Sequence, residues 1–234
     1  MNASRTARER VRAELMGEIA EIARAHLARD GAAGLSLRAV AREMGMASSA
    51  IYRYYASRDD LLTALIIDGY NAVGEAVEKS EAACARDDPM GRWLAVCHGV
   101  RDWALAHPHE YALLYGSPVP GYSAPEDTIA PAMRDSAVFG RIVGDTCRAG
   151  LLDPPGGYPP PPESFLATDV AGIREAVLPE VPDEVVARAV TAWPGLFGAV
   201  SFELFGQFDN VITDRAAMFD YAMRGLGRFI GLPD

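Results

Sequence analysis

Apolar residues recur every three or four positions along nearly the whole chain of 234 residues, and this spacing constrains the fold more than any other feature of the sequence. In the first such stretch, Leu15, Ile19 and Ile22 fall on one face of a helix of about 8–29, which Gly31 is suited to end. No stretch of useful length alternates apolar and polar residues, as a half-buried strand would. The sequence therefore predicts an all-α fold.

Capping residues and helix breakers mark where the next predicted helices begin and end. Ser36 is placed to cap a second helix that Gly45 stops, a short third helix is expected at about 48–54, and Ser57 opens a fourth through a capping box with Asp60. Later helices are expected to begin at Pro89, Pro108 and about Glu126, and two long ones to span about 183–207 and 214–230. The proline-rich segments 117–125 and 154–162 are expected to be irregular, the second being alternatively a proline-motif ligand.

Charge is distributed unevenly along the chain, whose formal net charge is −10. Residues 1–60 hold ten arginines and eight acidic residues, whereas residues 61–234 hold 12 basic and 24 acidic ones. Four of those arginines, Arg5, Arg8, Arg10 and Arg12, stand within the first twelve residues. Any contact with a polyanion is therefore expected to use the N-terminal quarter of the chain.

The composition favours a cytoplasmic protein. The longest uncharged apolar run, 189–202, has 14 residues and contains Pro194, whereas a membrane span needs about 18 or more. The N-terminus lacks the apolar segment of a secretory signal. The three cysteines, Cys84, Cys97 and Cys147, are odd in number and widely spaced, which favours reduced thiols, a redox-sensing thiol being the alternative.

Nothing in the sequence points to an enzyme, a metal site or a cofactor. His107, His109 and Glu110 lie close together, but their spacing does not place two histidines on one helical face, and Pro108 at a helix start explains the local composition. No nucleophile elbow, phosphate-binding loop or dinucleotide signature is present.

The spacing of Ala41, Gly45 and Ile51 is the skeleton of a helix-turn-helix. Two short helices that cross steeply need a small side chain at the crossing, a residue tolerant of positive φ in the turn, and a buried anchor on the second helix. The second helix begins with the small residues 47–49, so its N-terminus is slim enough to enter a major groove.

The stretch LSLRAVAREMGMASSAIYRYYASRDDLL (35–62) resembles the TetR family of bacterial transcriptional regulators, and the resemblance covers residues 8–65. It implies a three-helix DNA-binding domain, 1–60, followed by a larger helical effector-binding and dimerisation domain, 61–234. The implied function is a ligand-responsive regulator of transcription, a repressor that a small, mainly apolar effector releases from double-stranded operator DNA. An interaction protein on the same fold without sequence-specific DNA binding is the alternative.

The resemblance also assigns DNA-contacting positions. Tyr52, Tyr54 and Arg58 would hold phosphates, and Ser48, Ser49 and Arg53 would lie nearest to base edges, Arg53 being alternatively a solvated charge. The full set of positions that approach DNA is Ser36, Ala47, Ser48, Ser49, Tyr52, Arg53, Tyr54 and Arg58.

Several N-terminal residues have other expected roles or depart from the family pattern. Tyr55, which shares a face with Ile51, is expected in the core. Arg5 and Arg8 are expected either in a disordered arm or in a minor groove. Ala47 stands where the family usually has a serine, so the serine hydroxyl is missing here. Arg58 stands where the family usually has a lysine, so a planar guanidinium group replaces a single ammonium charge.

In the C-terminal part, 107–122 and 192–208 resemble a module named for a Trp-His-Gly signature, with Phe197 in place of the histidine. Aromatic and sulfur-bearing side chains are candidates to line an apolar effector pocket beside a kink at Pro194, or alternatively to form core. These candidates are Trp93, Cys97, Trp103, Tyr111, Tyr115, Met133, Phe139, Phe165, Trp193 and Phe197.

The last two predicted helices carry more apolar surface than one small domain needs. This surface includes Phe202, Phe205, Phe208 and Leu226, and several glycines nearby allow helices to approach closely. We therefore expect a homodimer built on a four-helix interface, with two helices from each subunit.

Overall fold

A computed structural model describes residues 3–234, with side chains from residue 7 onward, and this part of the chain is helical with no strand. Its α-helices are α1 (Ala3–Gly34), α2 (Leu37–Glu43), α3 (Arg58–Ala82), α4 (Pro89–Ala106), α5 (Pro108–Tyr115), α6 (Ile129–Ala132), α7 (Arg134–Arg148), α8 (Glu163–Phe165), α9 (Ala171–Val177), α10 (Asp183–Leu204) and α11 (Arg215–Ile230). Single turns of 3-10 helix at Ile51–Arg53 and Glu126–Thr128 and a π-helical turn at Leu166–Val170 complete the set. The all-α prediction is confirmed.

The chain divides into two compact units. The N-terminal unit comprises the residues up to Tyr70 together with His107–Pro131, and the C-terminal unit comprises Asn71–Ala106 and Ala132–Asp234. The N-terminal unit therefore extends beyond the boundary expected at residue 60, because α5 and the loop after it pack on the first helices.

Contacts within the N-terminal unit show how α5 and its loop are held. The Tyr122 hydroxyl is hydrogen-bonded to that of Thr63 at 2.9 Å, and the Arg24 guanidinium lies 3.3 Å from the Glu110 carboxylate. Leu113 and Val119 pack against the core of this unit. These contacts join residues far apart in sequence, so local patterns did not reveal them.

The turn between α2 and the following segment has the expected geometry. Ala41 is fully buried, Gly45 has a φ of 68°, and the Met46 amide donates to the Ala41 carbonyl at 2.8 Å. Ile51 is fully buried and Tyr55 is 6% exposed, which confirms both as core residues. The helix-turn-helix skeleton therefore assembles as its spacing predicts.

Local signals placed two helix starts correctly and a third element less well. Ser57 and Asp60 form a reciprocal capping box, with the Asp60 amide donating to Ser57 Oγ and the Ser57 amide to Asp60 Oδ2, both at 3.0 Å. Asp88 caps α4 by accepting the Gly91 amide at 2.7 Å. The helix expected at about 48–54 is instead a turn followed by the 3-10 helix. In that helix the Tyr54 amide donates to the carbonyl of Ile51, three residues earlier, as is typical of 3-10 geometry.

Helix α1 is longer than expected at both ends. It begins at Ala3, and it includes Gly31, whose φ of 68° breaks the helix before one further turn to Gly34. Gly31 therefore has the positive φ that suits glycine, but its ψ of 173° is not that of the expected left-handed cap, and helical structure resumes after it. The side chain of Arg5 lies outside the described residues, whereas Arg8 is part of regular helix.

The C-terminal unit is built around α4, whose buried side chains contact α7, α10 and α11. The Trp93 indole N–H donates to the Met223 carbonyl at 2.8 Å, which joins α4 to α11. A Cβ at Gly227 would lie 2.8 Å from the Trp93 ring, so glycine is needed for this close approach. Arg92 and Glu81, both almost fully buried, form an ion pair at 2.7 Å.

Helix α10 is long and apolar enough to cross a bilayer by length and composition alone, and it is the one such helix among the described residues. Of its most apolar window, 44% is buried within the protein. Leu196 and Val200 are fully buried in the C-terminal unit, as in the core helix of a water-soluble domain. The helix continues through Pro194.

Candidate nucleic-acid interface

The segment after the α2 turn presents small and polar side chains to solvent. Ala47, Ser48, Ser49, Tyr52 and Arg53 are all exposed. The buried Ile51 anchors the segment, so its neighbours face outward together. We call residues 47–53 the reading segment. Three other predicted contact residues are half-buried, namely Ser36, Tyr54 and Arg58.

Arginines from α1 lie beside the reading segment. Arg8 and Arg12 line one groove together with Arg53 and Tyr54, which we call the arginine groove. The Arg12 guanidinium stands 5.5 Å from the centre of the Tyr54 ring, within the range of a cation–π contact. Arg8 and Arg12 therefore belong to a helix packed near the reading segment, so Arg8 is not part of the disordered arm considered from the sequence.

The pairing of charges differs between the two units. Six exposed arginines of the N-terminal unit have no carboxylate within 4.0 Å among the described residues: Arg8, Arg10, Arg12, Arg38, Arg42 and Arg53. Most arginines of the C-terminal unit do have such a partner, namely Arg86, Arg92, Arg101, Arg134, Arg148, Arg174, Arg188, Arg215, Arg224 and Arg228. Uncompensated guanidinium groups are suited to phosphate, which accepts charge-assisted hydrogen bonds.

A buried histidine joins the first two helices beneath this surface. His26 of α1 is 2% exposed, and its Nε2 lies 2.8 Å from a carboxylate oxygen of Glu43 at the end of α2. The contact holds α2 against α1 immediately before the turn at Gly45. It therefore helps to set the direction in which the reading segment leaves α2.

Arg58 is engaged within the protein. Its Nε donates to the Leu35 carbonyl at 3.1 Å, its Nη2 donates to the Ala32 carbonyl at 2.7 Å, and its Nη1 lies 3.4 Å from Asp59. Both carbonyls lie just after the break in α1 at Gly31, and the Ala32 carbonyl also accepts the Leu35 amide at 3.3 Å. The geometry favours a structural role for Arg58 over the phosphate contact expected from the sequence.

We predict that Arg58→Lys lowers the free energy of unfolding by about 2 kcal/mol, because a lysine cannot span both carbonyls as the guanidinium fork does. Urea unfolding followed by circular dichroism measures the change. Arg42→Lys is the matched control, since Arg42 is exposed and without an ion pair, and it should leave stability unchanged. If Arg58→Lys instead left stability intact and reduced the salt dependence of DNA binding, Arg58 would be a phosphate ligand.

The candidate effector residues do not all fall in one unit. Tyr111 and Tyr115 belong to the N-terminal unit, where their ring centres lie 4.9 Å apart. The others belong to the C-terminal unit: Trp93, Cys97, Trp103, Met133, Phe139, Phe165, Trp193 and Phe197.

Four of these side chains form a continuous aromatic row. Ring centres are 5.1 Å apart for Trp93 and Phe139, 4.9 Å for Phe139 and Trp193, and 5.3 Å for Trp193 and Phe197. The row is buried at Trp93 and Phe139 and half-buried at Trp193 and Phe197. Its first half is thus packed core, and its second half is the part that solvent reaches.

The remaining candidates have distinct surroundings. Phe165 lines a cavity near the proline-rich loop, and Met133, which is 39% exposed, lines a second cavity between α7 and α9. Cys97 is fully buried, and burial raises the pKa of its thiol well above the ordinary value. Burial likewise raises the pKa of the Cys84 thiol, which disfavours the thiolate form at both residues.

A buried helix-turn-helix core, an outward-facing reading segment and flanking unpaired arginines define a DNA-binding protein of the helix-turn-helix class. Residues 19–65 match the family model described as bacterial regulatory proteins, tetR family, and residues 93–226 match the tetracyclin repressor-like C-terminal domain. The chain belongs to the TetR family of transcriptional regulators, which are not enzymes. The Trp-His-Gly subclass stays a prediction.

Known relatives are similar over nearly their whole length. The HTH-type transcriptional regulators Rv1816 of Mycobacterium tuberculosis and Mb1846 of Mycobacterium bovis are each 39% identical over 228 residues, covering 94% of this chain and 92% of the relative. The crystal structure of regulatory protein SCO4313 is 35% identical with a TM-score of 0.75, covering 93% of this chain and 97% of that one. The chain therefore shares both domains with these proteins.

Proposed function

We propose that the protein is a homodimeric, cytoplasmic repressor that binds operator DNA through the reading segment and leaves it when a small, mainly apolar effector binds. The observation that carries the proposal is the set of unpaired arginines around the reading segment, in a chain whose other arginines are mostly ion-paired. Each reading segment would enter a major groove, with half-sites one helical turn apart or a multiple of it, roughly 34–36 Å per turn.

The proposed division of labour follows from exposure and chemistry. Ser48, Ser49 and Arg53 are exposed donors on the reading segment, and we propose that they contact base edges. Tyr52 and Tyr54 carry hydroxyls that can donate to phosphate, and the guanidinium groups of the unpaired arginines of α1 can do the same. The small side chain of Ala47 allows the backbone to approach DNA closely, and Ser36 lies at the start of α2, whose first backbone amides are suited to a phosphate.

The effector is proposed to bind in the C-terminal unit. The half-buried rings of Trp193 and Phe197 offer an apolar surface at the end of the aromatic row. A ligand changes the DNA-binding equilibrium only by the difference in its affinity for the two conformations. An effector that separates the packed rings would therefore favour a conformation other than the one described here.

The test is selection of bound sequences from a random duplex library with the full-length protein, followed by anisotropy titrations at several salt concentrations. The proposal expects one two-fold symmetric sequence to be enriched and its affinity to fall steeply with salt. Absence of any enriched sequence, or an affinity independent of salt, would favour the alternative of an interaction protein on the same fold.

We predict that Ser49→Ala changes the preference among operator variants by roughly fivefold, because one hydrogen bond to a base edge is worth about 1 kcal/mol. Competition titrations with duplexes that differ at single positions measure the preference. Ser123→Ala is the control, since Ser123 is an exposed serine of the loop after α5. An unchanged ranking of operator variants would remove Ser49 from the reading residues.

A further inference from the structure

The cavity that Phe165 lines belongs to the C-terminal unit, and none of the four side chains of the aromatic row contributes to its lining. It has a volume of about 220 Å³ and lies between the proline-rich loop and helices α10 and α11. Its walls are mostly apolar, with Tyr158, Phe165 and Phe229 and a run of four prolines, Pro159–Pro162. Arg188 and Thr191 contribute polar groups to the lining.

Arg188 is the unusual member of this lining, because an arginine is rarely so deeply buried. Arg188 is 4% exposed, and its guanidinium lies 5.4 Å and 5.5 Å from the ring centres of Tyr158 and Phe229, two rings that also contact each other with centres 4.8 Å apart. Nη1 donates to the carbonyls of Pro155 and Phe229, both at 3.2 Å, and Nη2 donates to the Pro155 carbonyl and to Glu184. The guanidinium is thus held rigidly at the edge of the cavity.

One donor of this guanidinium is left over. The Nε of Arg188 is buried and has no hydrogen-bond partner among the described residues. A buried donor without an acceptor is costly, and such groups in native proteins call for an explanation. An acceptor supplied by a bound molecule would satisfy it.

The charges around the cavity decide what kind of acceptor fits. Glu184 lies 2.9 Å from Arg188 Nη2 and also lines the cavity, so the positive charge already has a counter-ion. A second carboxylate would be repelled by Glu184, which is 55% exposed on its side chain. The lining therefore favours an uncharged acceptor such as a carbonyl oxygen.

We propose that this cavity binds a small, uncharged, planar aromatic molecule that carries one hydrogen-bond acceptor. Its ring would pack against Phe165, Phe229 and the prolines, and its acceptor would take the Arg188 Nε–H. Because Nε is buried, a ligand reaches it only when a neighbouring side chain moves, and the Tyr158 ring, which is 54% exposed and follows Gly157 with its φ of 80°, is the candidate. The proposal is about ligand binding alone, and it does not depend on whether the bound molecule changes the affinity of the protein for DNA.

Fluorine NMR of two matched probes tests the proposal with the full-length protein and no DNA. The probes are para-fluoroacetophenone, which carries a carbonyl acceptor, and para-fluoroethylbenzene, which has nearly the same shape without one. We expect the ketone to bind about tenfold more tightly, because it alone satisfies the Arg188 donor. Equal affinities, or no binding of either probe at millimolar concentration, would overturn the proposal.

Two variants and a control locate the binding. Arg188→Met should abolish the difference between the probes, and Phe165→Ala should weaken both by about tenfold while leaving Arg188 in place. Leu105→Ala, which removes an exposed apolar side chain of α4 outside the cavity lining, should change neither. If Arg188→Met does not fold, the probe comparison and Phe165→Ala decide the outcome, and unchanged binding in Phe165→Ala contradicts the site.

Discussion

Replacing Arg8, Arg12 and Arg53 together by alanine is expected to weaken operator binding about a hundredfold and to reduce the slope of affinity against salt concentration, on logarithmic axes, by roughly 2–3. The three guanidinium groups line the arginine groove and have no carboxylate partner among the described residues. Arg8 and Arg12 are therefore available to replace the counter-ions of phosphates, and Arg53, proposed to contact a base edge, adds its charge to the same groove. Anisotropy titrations at four or more salt concentrations measure both quantities.

The control for this prediction uses two basic residues that are likewise exposed and without an ion pair among the described residues, but that lie far from the arginine groove in the sequence. Lys79 and Arg141 are exposed, belong to the C-terminal unit and have no ion pair among the described residues. The double substitution of these two by alanine should leave the slope unchanged. Urea unfolding should show that the triple variant is folded, because exposed arginines contribute little to the core. A triple variant with an unaltered slope would mean that DNA is not held at the groove.

The arginine groove also explains how an acidic chain binds a polyanion. The net charge of −10 is the sum over two units whose arginines are used differently. In the C-terminal unit, guanidinium groups such as those of Arg101 and Arg134 are paired with carboxylates, and the pairing with Arg134 lowers the pKa of Glu78. In the N-terminal unit, six exposed arginines have no carboxylate within 4.0 Å among the described residues. Affinity for DNA depends on this local balance rather than on the total.

The features that sequence patterns predicted correctly are those that depend on neighbouring residues. The capping box of Ser57 and Asp60, the positive φ of Gly45 and the cap at Asp88 each involve groups within four positions of one another. The burial of Ile51 in the reading segment, and of Tyr55 just after it, likewise follows from local spacing. Such signals need no knowledge of the tertiary fold.

The features that escaped prediction depend on contacts between distant segments. Arg58 reaches the carbonyls of Ala32 and Leu35, some 25 positions away, and no local pattern distinguishes this from a free guanidinium. The addition of α5 to the N-terminal unit depends on the contact between Tyr122 and Thr63. The candidate effector residues are alike in being aromatic or sulfur-bearing, but they do not lie together, because Tyr111 packs in one unit and Trp193 in the other.

Substituting Phe202 and Phe205 together by glutamate is expected to convert the protein to a monomer, with the dissociation constant of the proposed dimer raised about a hundredfold or more. The two side chains are 52% and 48% exposed, whereas Glu203 between them is buried against Arg101 at 2.7 Å. This part of the chain therefore turns its aromatic rings outward and its carboxylate inward. Apolar side chains exposed to this extent favour a contact surface for a second subunit, and Tyr221 of α11, 81% exposed, adds to the apolar area.

Sedimentation equilibrium at micromolar concentration distinguishes the outcomes, with Leu151→Glu as the matched control. Leu151 is a large apolar residue of the same unit, 47% exposed, and it lies outside the last two helices. The glutamate variant should remain folded, because neither phenylalanine belongs to the buried core. It should also lose operator affinity, since a monomer contacts a single half-site. A variant that stays dimeric would place the interface elsewhere, and a dimer that dissociates in both variants would show an effect of charge alone.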